Sequence, residues 1–244
     1  MKIGRFALEG ISFDVADSEC LALVGPNGSG KTTLLECIAG VRQIESGRIQ
    51  LNGVDVTHLV PEKRQVGYVP QDCLLFPHLT VDQNIAFGQR RPSGNGKDRA
   101  KEMMEWLGIS HLGGRHTKSL SWGEKQKVAL TRALITRPRV LLLDEPFSSV
   151  DRVSRRKLLG EMRKSLDEVS RTLGLASVYV THDLAEAQLM TSEVAIMNNG
   201  RIEQVGSWER VLQTPSSTFV ADFMGFNTLQ GTLTSTDDGY AVAQ

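Results

Sequence analysis

Long apolar runs are missing from this 244-residue sequence. The longest, such as Leu21–Val24 and Val140–Leu143, fall far short of the roughly 18 residues a membrane-spanning helix requires, so the chain is not expected to cross a bilayer. The opening Met1-Lys2-Ile3-Gly4-Arg5 leads straight into mixed polar and apolar sequence, without the extended apolar core of a secretory leader, and a cytoplasmic address is the expectation. Charge of one sign is missing too: 28 Lys and Arg balance 28 Asp and Glu. A neutral chain has no sequence-independent pull toward phosphate backbones or anionic lipid, so nucleic acid is not an expected partner. Cysteine is scarce. Cys20, Cys37 and Cys73 are odd in number and lack CxxC spacing, which argues against a disulfide framework or a zinc site and leaves them as small core or surface residues. No internal repeat or low-complexity tract stands out.

What is present is alternation. Leu21–Val24, Val66–Val69, Val140–Leu143, Ala176–Val180 and Val194–Met197 read as strands, and Thr32–Ala39 reads as a helix, a rhythm that points to an α/β fold with a mostly parallel sheet. The apolar runs before Gly25, Asp144 and Thr181 read as central strands covered on both faces, which puts functional loops at their carboxyl ends. Two places break the rhythm. From Thr80 to about Arg137 the pattern is helical, with a polar, Gly-rich linker at Arg90–Lys97, and suggests a helical subdomain inserted into the sheet core. Asn199-Gly200 reads as the tight turn of a hairpin between Val194–Met197 and Arg201–Val205, followed by short helices near Trp208 and Phe219. The segment Thr228–Gln244 reads as an isolated strand or hairpin, which in water needs a partner surface.

The segment Gly25-Pro26-Asn27-Gly28-Ser29-Gly30-Lys31-Thr32 fits G-x-x-x-x-G-K-[ST], directly after a predicted strand and before a predicted helix. Glycines at 25, 28 and 30 let the backbone wrap so that its N–H groups point at phosphate oxygens, while the following helix presents the positive end of its dipole. Lys31 would span the β- and γ-phosphates, Thr32 would place its hydroxyl on Mg²⁺, and Thr33 would sit near the α-phosphate. A functionless Gly-rich turn is the other reading, and strand, loop and helix in register weigh against it. Farther on, Val140–Leu143 runs into Asp144-Glu145. Asp144 would hold the Mg²⁺ shell and Glu145 would polarise an attacking water as general base, although acidic residues at a strand end also cap turns.

The class is decided by the motifs between and after these two. Pro70-Gln71, Leu120-Ser121-Trp122-Gly123-Glu124 with Gln126, Ser149-Val150-Asp151 and Val180-Thr181-His182-Asp183 follow one another in an order that resembles ATP-binding cassette (ABC) ATPases over nearly the whole chain. The resemblance implies a P-loop NTPase core at 1–79 and 138–226 with an antiparallel β subdomain, an inserted α-helical subdomain at 80–137, and a strand or hairpin at 227–244. It implies ATP and Mg²⁺ as ligands. Gln71 would be the Q-loop glutamine near Mg²⁺ and the attacking water, and His182 the switch histidine that contacts the γ-phosphate and positions Glu145. Asp151 would link the two subunits' sites, with a helix N-cap as its local reading. Ser121 and Gly123 would clasp the γ-phosphate held by a second copy, and Ser121 with Glu124 is at the same time a capping box. Trp122 departs from the family's Leu-Ser-Gly-Gly pattern, and a bulky residue there predicts slower hydrolysis or an altered dimer geometry, or else an indole stacked elsewhere on ordinary helix. No adenine platform is assigned, since Phe6 and Phe13 read as core.

Cys73–Gly88, after the Q-loop, resembles the transmission surface of importer ATPases, where a groove could receive a short helix of a membrane-spanning permease subunit, with ordinary subdomain packing as the local reading. The implied protein is a peripheral subunit on the cytoplasmic face of the membrane, acting as a homodimer with that permease and, indirectly, with an extracytoplasmic solute-binding protein. Its nearest resemblance is to importers of oxyanions such as molybdate or tungstate, ahead of sulfate, iron(III) and polyamine importers. Phe226–Gly231 resembles the first strand of a small β-barrel regulatory domain. Two other readings stand beside this one: a nucleotide-gated subunit with weak hydrolysis, and a cassette ATPase of DNA repair or translation. The repair form needs a long coiled coil between Gln71 and Leu120, where only a small helical subdomain fits.

Overall fold

The computed structural model describes residues 2–3, 6–89, 96–228, 232–236 and 239–243. Two short strands, β1 (Lys2–Ile3) and β2 (Phe6–Ala7), pair antiparallel ahead of β3 (Cys20–Val24), whose run of apolar residues is followed by the phosphate-type loop and helix α1 (Lys31–Ala39). Next come β4 (Gln50–Leu51), β5 (Val54–Asp55) and β6 (Val66–Val69), then the helices α2 (Val81–Phe87), α3 (Gly96–Trp106) and α4 (Trp122–Leu134). β7 (Val140–Asp144), α5 (Arg152–Leu173), β8 (Ala176–Thr181), α6 (Leu184–Met190), β9 (Glu193–Asn198) and β10 (Arg201–Ser207) complete the core. After them lie α7 (Trp208–Gln213), α8 (Thr218–Phe223) and a separate pair, β11 (Thr232–Thr236) and β12 (Gly239–Ala243).

Among the described residues the main sheet has six strands in the order β10-β9-β3-β8-β7-β6, all parallel except the edge strand β10. Side-chain alternation sorts each strand onto two covered faces. Leu21 and Leu23 of β3, Leu142 of β7 and Val180 of β8 pack with Leu34, Leu35 and Ile38 of α1. On the opposite face Leu141, Leu143 and Tyr179 join the cluster built by the helices α2 to α5, while Ala22, Val24, Val194 and Ile196 meet α6, α7 and α8. The α/β reading with a mostly parallel sheet and separate antiparallel pieces is therefore what the chain forms.

Local differences from the sequence reading have physical reasons. The 22-residue helix α5 was not anticipated; its buried Leu159, Met162, Leu166 and Val169 lie at helical spacing but are diluted by charged residues. A second Asn-Gly turn, Asn52-Gly53 with φ of 47° and 73°, closes β4 on β5 in the same left-handed geometry as Asn199-Gly200. β10 runs on to Ser207, with a register shift between Ile202 and Gln204. Of the linker Arg90–Lys97, residues 90–95 lie outside the described residues and 96–97 open α3. Between Thr80 and Arg137 the described residues form helices, 3₁₀ turns and one isolated bridge, Thr80 to His116. Cys37 and Cys73 are buried and Cys20 half-buried, and none of the three is in a disulfide.

Helix α1, which carries the loop, is fastened at its far end by Arg64. This buried guanidinium donates to the carbonyls of Cys37 (2.7 Å), Ile38 (2.9 Å), Thr57 (2.8 Å) and Leu59 (2.9 Å). It thereby satisfies the orphan carbonyls of the helix C-terminus and adds a positive charge to the negative end of its dipole. Arg64→Met removes four hydrogen bonds to buried carbonyls, so it should cost about 2–4 kcal/mol and lower the midpoint of a circular-dichroism melt by roughly 5–15 °C. A midpoint within about 2 °C of wild type would contradict this role.

Candidate functional site

The sheet register gathers the chemistry at one edge. Val24 pairs with Thr181, Asp144 with Val180, and Val69 with Leu143, so the parallel strands deliver Gly25, Asp144-Glu145, His182 and Pro70-Gln71 to the same carboxyl end. The loop between β3 and α1 is packed against its neighbours. A side chain on Gly25 would place Cβ 2.1 Å from the carbonyl oxygen of Met197, and one on Gly30, whose φ is 105°, would meet the Phe6 ring at 2.5 Å. Pro26, Asn27 and Gly28 form the exposed tip, while Ser29 is buried, with its N–H donated to the Pro26 carbonyl at 3.2 Å. Phe6 and Phe13 are half-buried against the core.

Lys31 opens α1 and turns back on its own loop, donating to the carbonyls of Gly25 at 2.9 Å and Pro26 at 3.1 Å. Burial lowers the pKa of this ammonium, and the nearby Glu145 and Asp144 carboxylates pull it back up. Thr32, exposed beside the half-buried Thr33, donates its hydroxyl to Asp144 Oδ1 at 3.0 Å, and the Tyr68 hydroxyl donates to Asp144 Oδ2 at 3.2 Å. Burial raises the pKa of Asp144, against the lowering effect of those two hydrogen bonds.

Glu145 follows with φ of 43°, a left-handed backbone that is uncommon for a side-chain-bearing residue. Its N–H is donated to the Val180 carbonyl at 3.0 Å, which turns the carboxylate back toward β8, and Oε2 meets His182 Nδ1 at 3.2 Å. Gln71 lies exposed just past β6 at the same edge; the described hydrogen bonds of Asp144 go to Thr32 and Tyr68 rather than to it.

The remaining expected residues stand elsewhere. Ser121 N-caps α4 in a full capping box: its N–H and hydroxyl donate to Glu124 Oε2 at 2.7 and 2.8 Å, and the Glu124 N–H donates to Ser121 Oγ at 3.4 Å. Ser121, Gly123 and Asp151 line a cleft of about 520 Å³ that contains no residue of the Gly25–Thr32 loop. The Ser121 cleft and the Gly25–Thr32 edge are thus separate places on the chain. Three residues escaped the sequence reading. Tyr68 fixes Asp144, and Arg155 joins the Val150 carbonyl (2.8 Å) to Asp183 (3.7 Å). Arg132 donates to the Cys73 and Leu74 carbonyls, both at 2.8 Å. Their roles come from contacts between strands or helices distant in sequence, so no local pattern marks them.

Residues 8–148 match the family model described as ABC transporter. The chain belongs to the ABC transporter family. It is 46% identical over 222 residues to a sulfate/thiosulfate import ATP-binding protein of Synechocystis, covering 90% of this chain and 61% of that protein. It is 47% identical to a molybdate/tungstate import ATP-binding protein of Pyrococcus abyssi (93% and 66% covered) and 41% identical to a spermidine/putrescine import ATP-binding protein of Oleidesulfovibrio alaskensis (96% and 62%). The chain thus spans about two thirds or slightly less of the length of these curated relatives. Its backbone superposes on the crystal structure of a nucleotide-free ATP-binding cassette from an ABC transporter with a TM-score of 0.81 at 25% identity, covering 92% of this chain and 95% of the other. The fold is that of the ABC cassette. Relatives bearing three different solute names match almost equally well, so family membership does not extend to an oxyanion. Among the described residues no helix of the cassette is long and apolar enough to cross a membrane.

The raised pKa of Asp144 has a consequence for stability. The folded cassette holds this proton more tightly than the unfolded chain, so ionising Asp144 costs native stability, and the cost grows as pH rises through the folded pKa. Asp144→Asn should therefore melt above wild type at pH 8 without nucleotide, and the gap should close as pH falls through the carboxylate range. A variant melting below wild type at pH 8 would contradict this.

Proposed function

We propose that the chain is the ATP-hydrolysing, nucleotide-binding subunit of an ABC importer. The observation that carries this reading is the meeting, at one sheet edge, of the Lys31 loop, the Thr32–Asp144 hydrogen bond and the Glu145–His182 contact. The loop's N–H groups and Lys31 bind the phosphates of ATP, and the ammonium exchanges the Gly25 and Pro26 carbonyls for phosphate oxygens.

The donor set suits Mg²⁺. Thr32 Oγ1 and Asp144 Oδ1, 3.0 Å apart, are hard oxygen donors of the kind that ion takes. These two residues would hold the ion, which would supply charge neutralisation at the phosphates, with Gln71 near it at the same edge. Glu145 accepts the proton of the attacking water, while His182 holds the carboxylate in orientation and faces the γ-phosphate.

Because Ser121, Gly123 and Asp151 stand away from the chain's own loop, a second copy completes each site: the Ser121 end of one chain closes over the nucleotide of its twin. The face for the permease is built by Leu74 and Phe87, 65% and 66% exposed, around Phe76, whose ring lies 4.4 Å from that of Phe87. Arg132 covers Phe76 at 5.6 Å and clamps the turn at Cys73 and Leu74, where φ is 57° and 42°. The subunit then sits on the cytoplasmic face of the membrane, served by an extracytoplasmic solute-binding protein. An oxyanion is the proposed solute, supported by the sulfate and molybdate/tungstate relatives at 46% and 47% identity.

Glu145→Gln should bind ATP within about threefold of wild type while steady-state hydrolysis falls by about 10²–10⁴, read by fluorescent-nucleotide titration and phosphate release. Normal turnover by this variant would remove Glu145 from the mechanism. In vesicles carrying the permease and binding protein, Phe87→Asp should cut solute-stimulated ATPase by at least about tenfold and spare nucleotide binding. Unchanged stimulation would move the docking face elsewhere.

A further inference from the structure

We propose that Trp122 is a positioning residue that couples the two nucleotide sites of a pair of chains. It carries the state of a chain's own Glu145 turn to the signature serine that chain offers its twin. The inference rests on the two-copy reading above and adds to it a route within each chain.

Trp122 stands where the family pattern has glycine. Its backbone is ordinary first-turn helix of α4, with none of the positive φ that glycine would serve, so the indole sits there without backbone strain. The ring is half-buried on the wall of the cleft and packs on Phe147, with centroids 6.0 Å apart and planes tilted by 44°. Phe147 is 1% exposed and lies two residues past Glu145. The Ser148 N–H is donated to the Glu145 carbonyl and the Val150 N–H to the Phe147 carbonyl, each at 3.1 Å. Glu145 to Val150 is therefore one hydrogen-bonded unit that ends at Asp151.

Two other contacts join the start of α4 to α5. A Cβ on Gly123 would lie 2.8 Å from Leu158 Cδ2, and Lys127 pairs with Glu161 at 3.2 Å in a partly exposed bridge of little worth. The aromatic pair is the apolar tie to the Glu145–Asp151 turn itself, and pairs of this geometry contribute beyond their buried area. A shift of the Glu145 turn on nucleotide binding or hydrolysis displaces Phe147, then the indole, then Ser121, its neighbour in the chain. Glycine at 122 has no ring with which to follow.

The test is the ATP dependence of hydrolysis by the full-length protein, wild type against Trp122→Gly, Trp122→Phe and Phe147→Leu, each checked for an unchanged melting midpoint. Wild type should show a Hill coefficient approaching about 2, the number of sites in a pair. Trp122→Gly and Phe147→Leu should bring it toward about 1, whereas Trp122→Phe, which keeps a ring, should retain it. A merely structural role would alter the midpoint or the maximal rate and leave the coefficient alone. As a second readout, the Trp122 emission, taken as the difference between wild type and Trp122→Phe, should change when ATP binds a Glu145→Gln background. Wild-type cooperativity that persists in Trp122→Gly, or an emission blind to ATP, overturns the coupling while leaving the two-copy reading intact. A wild-type coefficient of about 1 likewise overturns the coupling, whereas the two-copy reading falls only if the Glu145→Gln protein binds MgATP and keeps the mass of one chain.

Discussion

Everything at the site depends on the parallel pairing of β3, β8 and β7 in fixed register. Val24 opposite Thr181 and Asp144 opposite Val180 set three loops at one edge, and a one-residue slip would turn Asp144 from the Thr32 side of the sheet to the other face. Apolar cover on both faces enforces that register, because each strand sends alternate residues into separate clusters. The local strain at Glu145 is held by the same scaffold, through its hydrogen bond to the Val180 carbonyl.

Electrostatics explains why this edge is poised for a charged ligand. Lys31 and Asp144 are 5% and 3% exposed, and burial disfavours the charged form of each. Lys31 hydrogen-bonds the carbonyls of its own loop, and the nearby Glu145 and Asp144 carboxylates offset part of the cost of its burial. On the proposed function, the phosphates of ATP and a divalent cation would add charges that offset the rest of that cost. The Ser121 cleft differs in character: Ser121 and Asp151 are exposed on its wall, as the proposed meeting with a second copy's nucleotide requires.

Much of this was legible from the residues alone, and the rest was hidden for definite reasons. The Gly25–Thr32 loop and the Asp144-Glu145 strand end are contiguous motifs, so their chemistry could be read locally. The strands β3, β7 and β8 announced themselves because covered parallel strands are unbroken apolar runs. Helix α5 did not, since Leu159, Met162, Leu166 and Val169 sit amid charges. Tyr68, Arg132 and, through Asp183, Arg155 act across distant elements and carry no local signature. Trp122 fell between these cases: its departure from the family pattern was visible, but its partner, 25 positions later at Phe147, was not.

On the proposed function, one chain holds two half-sites and a second copy unites them around ATP. Light scattering on the Glu145→Gln protein tests it most directly. With MgATP the particle mass should double, and chelation of the metal should return it to that of one chain. A protein that binds MgATP yet keeps the mass of one chain throughout would contradict the account.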